Sequence, residues 1–230
     1  METYTSANGE LDPELIRARM QFLARDESRR WMSPETLRSL DDDAEPWYRS
    51  ADDTDPEVAL RGVPIGIIHA ATIIDEAALY RDIETVVGLT HQSRATVDQA
   101  ALVATAVARV LAGSDDQVTL LPSLVSLAPN QSLRDALVEA QSGRKADSGN
   151  AAIDVIASGI AAFANADRFE DAVFVAASAG GAADLVETDS WACFQALMNV
   201  SRSSSRMAAP KSLVIKLTDA SRRSVYRTGV

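Results

Sequence analysis

Acidic side chains dominate the groups in this chain that could do chemistry, because it has only two histidines, His69 and His91, and one cysteine, Cys193. A Cys/His nucleophile pair, a cysteine cluster and a histidine-rich zinc site are therefore absent or impossible. Asp184 follows the paired glycines Gly180 and Gly181 in AASAGGAADLVETDSWACF. The glycines let the chain turn sharply between two helices, and the aspartate then falls where it can cap the next helix or face a cavity. Asp52, Asp53, Asp55 and Glu57 form a second acidic group, of the kind that attracts a hard divalent cation. It lacks the spacing and glycine of an EF-hand, so it reads as a solvated loop. His69, inside GIIHAATII, reads as a core histidine satisfied by a hydrogen bond. His91 stands just before a helix expected to begin near Ser93 or Arg94, where its ring can satisfy local backbone groups. Cys193 reads as a small buried hydrophobe, and Trp31, Trp47 and Trp191 as buried area with no shared spacing. No Walker loop or dinucleotide-binding glycine pattern is present.

The elements that must position these residues are helical. Asp12 before Pro13, and Ser33 before Pro34, are helix starts: the side-chain oxygen accepts from orphan amides, and proline at the first helical position loses no needed bond. The first helix carries an apolar stripe through Leu15, Ala18 and Phe22 beside Ile16, Met20 and Leu23, and the second ends near Leu40. From Asp41 to Glu57 the period collapses into a segment with eight acidic residues and Arg49 as its one base, read as a loop or linker. Apolar segments of helical spacing follow at Val58–Ile74, Glu76–Val87, Ala95–Leu111, Gln117–Leu127, Ser132–Gln141, Ala151–Phe163, Phe169–Ala177 and Asp184–Met198. Alanine is abundant and proline is confined to the joints, which predicts an all-α domain with short connections.

The net charge of -11 repels nucleic-acid backbones and anionic leaflets, which excludes general nucleic-acid and membrane binding. Residues 201–230 depart from this, with seven bases and one acid, Asp219, and form a basic tail that leaves -17 on residues 1–200. The polar, acidic start METYTSANGELDPEL is unlike a signal peptide, and a lone cysteine permits no intramolecular disulfide. No apolar run reaches the length of a spanning helix, so a soluble, cytoplasmic protein is expected.

Two stretches carry a resemblance. ETVVGLTHQSRATVDQAALVATAVARVLAG and AAIDVIASGIAAFANADRFEDAVFVAASAGGAADLV look like the ADP-ribosylglycohydrolase family, the first through its Leu-Thr-His turn at Leu89, Thr90 and His91. The second resembles that family's signature ending in Gly-Gly-Asp-X-Asp-Thr, and ALRGVPIGII, from Ala59 to Ile68, is similar to the segment after its glycine-rich loop. The resemblance spans roughly residues 12–200 and implies an orthogonal helical bundle, shortened at the N-terminus. The layout expected is an arm at 1–11, a helical domain at 12–200 with the acidic loop at 41–57, and the tail.

The family implies a cleft holding two magnesium ions that orient the ribose and activate water for cleavage of a glycosidic bond. Here Ala182, Ala183, Asp184 and Leu185 follow the glycines, so one carboxylate of that motif survives. DTDPEVALR replaces the glycine-rich loop, and Ala151 stands where a tyrosine is usual; ADDT imitates the family's other acidic motif by coincidence. Asp184 and His91 are the candidate catalytic residues, Asp184 the candidate metal ligand, and Gly180 and Gly181 the candidate ligand-binding turn. Two functions follow: a metal-deficient binding, regulatory or assembly descendant, which the altered motifs favour, or an active hydrolase of ADP-ribose or a related nucleoside. No cofactor is expected, or magnesium if the chain is active. The expected partners are an ADP-ribose-like small molecule and a protein, either a second copy or another chain, that covers helix surface left bare by the shortened N-terminus.

Overall fold

A computed structural model describes residues 10–26, 29–30, 32–41, 48–71, 73–144 and 146–166. Among these residues the chain is helical: α1 (Pro13–Ala24), α2 (Pro34–Leu40), α3 (Pro56–Ala59), α4 (Gly62–His69), α5 (Glu76–Val87), α6 (Arg94–Leu111), α7 (Leu120–Leu127), α8 (Gln131–Gln141) and α9 (Ala151–Asn165). None of them is long and apolar enough to cross a membrane. The all-α expectation holds over this range.

Short polar side chains start most of these helices. The Asp12 carboxylate accepts from the amides of Glu14 and Leu15 at 2.9 and 3.1 Å. The Ser33 hydroxyl accepts from Thr36, and the Asp75 carboxylate from Ala77 and Ala78. Asn130 and Asn150 do the same for α8 and α9. Each cap satisfies amides that the helix itself leaves orphaned. Gly113, with φ of 70°, stands just past the end of α6, in the left-handed region that glycine enters without strain.

One expected helix is two. The run Val58–Ile74 breaks at Leu60 and Arg61, whose amides bond to the carbonyls of Glu57 and Val58, three residues back, at 3.2 Å each. This tighter turn redirects the chain, and α4 then lies against α6. Hydrophobic periodicity does not register such a bend, because both halves stay buried. The helices expected at Phe169–Ala177 and Asp184–Met198, and the basic tail, lie outside the described residues.

α6 is the axis of the domain, with buried side chains on nearly every face. Leu102, Val103, Ala106, Val107 and Val110 enter an apolar cluster shared with α7, α8 and α9. Val97, Ala100, Ala101, Ala104 and Ala108 enter a second cluster with Val58, Ile65, Leu79, Ile83 and Val87, to which α1 contributes Ile16. α4 approaches closest, through Gly62 and Gly66. A Cβ built on Gly62 would stand 2.1 Å from the Ala100 carbonyl oxygen, so only glycine fits there.

Candidate functional site

The Leu-Thr-His turn joins α5 to α6, and three polar side chains and the backbone of Ser50 converge on it. The Ser50 amide donates to the Thr90 carbonyl at 2.8 Å, and the Gln92 amide donates to the Ser50 carbonyl at 2.9 Å, which forms an isolated bridge between Ser50 and His91. The Ser39 hydroxyl, at the end of α2, donates to the same Thr90 carbonyl at 2.9 Å. Arg17 of α1 forks between the carbonyls of Leu89 and Ser39, at 3.1 and 2.8 Å. Arg61 donates to the hydroxyls of Thr90 and Thr36 at 2.6 and 2.7 Å, and pairs with Glu57 at 3.1 Å.

His91 is 1% exposed. Its Nδ1 lies 2.9 Å from the Thr90 hydroxyl, while its Nε2 is buried without a hydrogen-bond partner. Burial, and after it the positive charge of Arg61, push the ring below its ordinary pKa of 6.5, although Glu57, Asp52 and Glu35 pull the other way. The imidazole is therefore neutral at neutral pH. α6 begins at Arg94 immediately afterwards, as the sequence leads one to expect, but the ring bonds a neighbouring hydroxyl and not a backbone group.

Residues 52–57 of the acidic segment are not the solvated loop that their composition suggests. The Asp52 carbonyl accepts from the Thr96 hydroxyl at 3.1 Å, and the Asp53 carbonyl from the amides of Gln99 and Asn150 at 2.8 and 2.9 Å. Its carboxylates also bond within the fold. Asp52 Oδ1 accepts from the Thr54 amide and hydroxyl, and these bonds hold it below the usual carboxylate range. Asp55 caps α3, and burial pushes its carboxyl up. Burial also pushes Glu57 up, but Arg61, the Ser33 amide and the Thr36 hydroxyl outweigh it and hold the group low.

These commitments bear on magnesium. Two hard ions need several carboxylate oxygens turned toward a common point. Here Asp52 Oδ1, Asp55 Oδ1 and both Glu57 oxygens are engaged in capping and pairing, and no group of three His, Cys, Asp or Glu side chains is placed to hold a metal among the described residues. The described carboxylates do not fit a dinuclear site.

Of the candidate site residues, His91 is in this cluster, while Asp184, Gly180 and Gly181 lie outside the described residues, as do Cys193, Trp31, Trp47 and Trp191. His69, read as a core histidine, pairs with Asp82 at 2.8 Å with its side chain 12% exposed. Arg61, Thr36, Gln99 and Asn150 were not singled out from the sequence. Gln99 carried a signal, as an amide within the alanine- and valine-rich face of α6; the partner of Arg61 is set by tertiary contact alone. A pocket of about 100 Å³ between α5, α6 and the end of α7 is lined by Leu79, Tyr80, Leu102 and Leu127, with none of the turn's residues.

A family model described as ADP-ribosylglycohydrolase matches residues 1–186. No curated protein and no solved structure matches the chain.

Proposed function

The chain belongs to the ADP-ribosylglycohydrolase family, and from that premise we propose that it is a metal-deficient descendant that binds, regulates or assembles instead of hydrolysing. The observation that carries this reading is the inward commitment of the acidic segment. Where the family resemblance places a glycine-rich ligand loop, this chain has one carboxylate that caps its own helix α3 and another that pairs with its own arginine. The alanines at 182 and 183 support it from the sequence, since they coordinate nothing. The ligand is an ADP-ribose-like small molecule or a protein surface, either a second copy or another chain.

A ligand that binds only the folded chain raises its stability by mass action, about 2.7 kcal/mol at a hundredfold excess over its dissociation constant. We expect no metal-dependent shift of the melting curve with millimolar magnesium or manganese, whether or not ADP-ribose is present; a shift with ADP-ribose alone supports the small-molecule ligand, and none turns the search to a protein surface. We also expect no release of ADP-ribose from modified arginine or serine peptides above an Asp184→Ala control. A magnesium-dependent shift lost in Asp184→Ala, together with turnover, would restore the active glycoside hydrolase. Light scattering on the same samples tests assembly, and a monomer at micromolar concentration counts against the second copy.

A further inference from the structure

Among the described residues, the polar and charged residues that are buried whole, other than Asp98, all lie along one seam. Thr36, Ser39 and Ser50 stand on its N-terminal side, and Thr90, His91, Thr96 and Gln99 on the other. Apolar contact across it is slight. Ile16 is the one N-terminal side chain in the apolar clusters, with Leu11 and Met20 against their edge, and Leu40, 4% exposed, belongs to neither cluster. The atoms left unsatisfied mark the same line. Among the described residues, the buried side-chain atoms without a partner are His91 Nε2 and Gln99 Oε1, both on the seam, and Asp55 Oδ2, where the N-terminal layer joins α3. A buried polar atom without a partner costs free energy that water would return, so each of the three favours opening.

We propose that the described residues between 10 and 53 form a separable layer that lifts off the described residues between 56 and 166 along this seam, hinged at Thr54 and Asp55, with protonation of the His91 ring as the trigger. The layer is fastened by polar bonds that water can replace: Ser50 to Thr90 and Gln92, Ser39 to Thr90, Arg17 to Leu89, Thr36 to Arg61 and Glu57, Ser33 to Glu57, and the Asp52 and Asp53 carbonyls to Thr96, Gln99 and Asn150. Such a contact opens below the global unfolding free energy more readily than an apolar one. The charged groups around the ring are Arg61, Glu57, Asp52 and Glu35. α1 adds Arg17 on the neighbouring carbonyl, and the helices flanking the turn bring Glu84 and Arg94, joined to each other at 2.8 Å. A proton on His91 places a second positive charge beside Arg61 in a dry site. Because the closed layer holds the ring below 6.5, opening takes up a proton, and the closed form loses stability as pH falls from that value.

Hydrogen exchange on the full chain tests this. At pH 7.5 we expect α1, α2 and residues 50–53 to exchange together and before α6. At pH 5.5, after correction for intrinsic exchange, opening of that layer rises, by about tenfold at most, and still precedes exchange of α6, which rises by no more than the same factor. The step should vanish in His91→Gln and persist in His69→Gln. Exchange of the layer in one step with α6, or an acid step that survives in His91→Gln, overturns the proposal. If His91→Gln does not fold, the imidazole titration of His91 in the unaltered chain decides: a midpoint coinciding with the opening supports the trigger, and a separate midpoint refutes it.

Discussion

Arg61 ties together side chains from three elements, Glu57 of α3, Thr36 of α2 and Thr90 of the turn before α6. Its side chain is 10% exposed and that of Glu57 27%, so removing the arginine leaves a partly shielded carboxylate without its counter-charge. Arg61→Ala should cost about 2 kcal/mol at pH 7, at the low end for a broken buried pair because water still reaches the glutamate. Glu57 is held below its ordinary 4.5, so the stability it contributes is complete above that value and is lost as pH falls through the folded one. Urea unfolding should therefore show a gap between variant and parent at pH 7 that narrows below pH 4, and equal stabilities at pH 7 would contradict the assignment. Little of this was legible in the sequence. In ALRGVPIG, Arg61 is one charge within an apolar run, and nothing local reveals that Thr36 and Thr90 will meet it. His91 was legible because a recognisable turn carries it, yet its bond to Thr90 depends on how Arg61 orients that hydroxyl.

At the scale of elements, the sequence was more open to reading, because caps are local. Asp12 with Pro13, Ser33 with Pro34, and Gly113 past the end of α6 act where their residue types predict. At residues 52–57 the expectation of a solvated loop fails for the opposite reason. Composition reports side-chain charge, whereas this segment is held by its backbone carbonyls, which every sequence possesses. The contact of α4 with α6 yields a sharp test. At Gly62 the obstruction to a methyl group is backbone, which cannot rotate away as a side chain can. Gly62→Ala should therefore cost about 3 kcal/mol, despite the better helix propensity of alanine. Thermal unfolding reads the cost directly, and a melting midpoint within a degree of the parent's would mean that the two helices do not approach this closely.

For the molecule as a whole, α6 faces two apolar clusters at once, so neither can melt without stripping a side of the same helix. Leu137→Ala in one cluster and Ile83→Ala in the other should each lower stability by about 3 kcal/mol, and each should shift a single transition followed alike by near- and far-ultraviolet circular dichroism. A second transition that stays in place in either variant would show two independent cores. The Asn150 clamp adds a temporal order to this geometry. Its side chain grips the Asp53 carbonyl from 97 positions further along the chain. At about 5–20 residues per second, a ribosome takes about 5 to 20 seconds to make that stretch. Throughout that interval Asp53 has emerged while its clamp does not yet exist. The acidic segment, begun among the first sixty residues, is thus completed only as the last described helix leaves the exit tunnel, and until then a nascent-chain chaperone or protease meets an edge that the finished fold conceals.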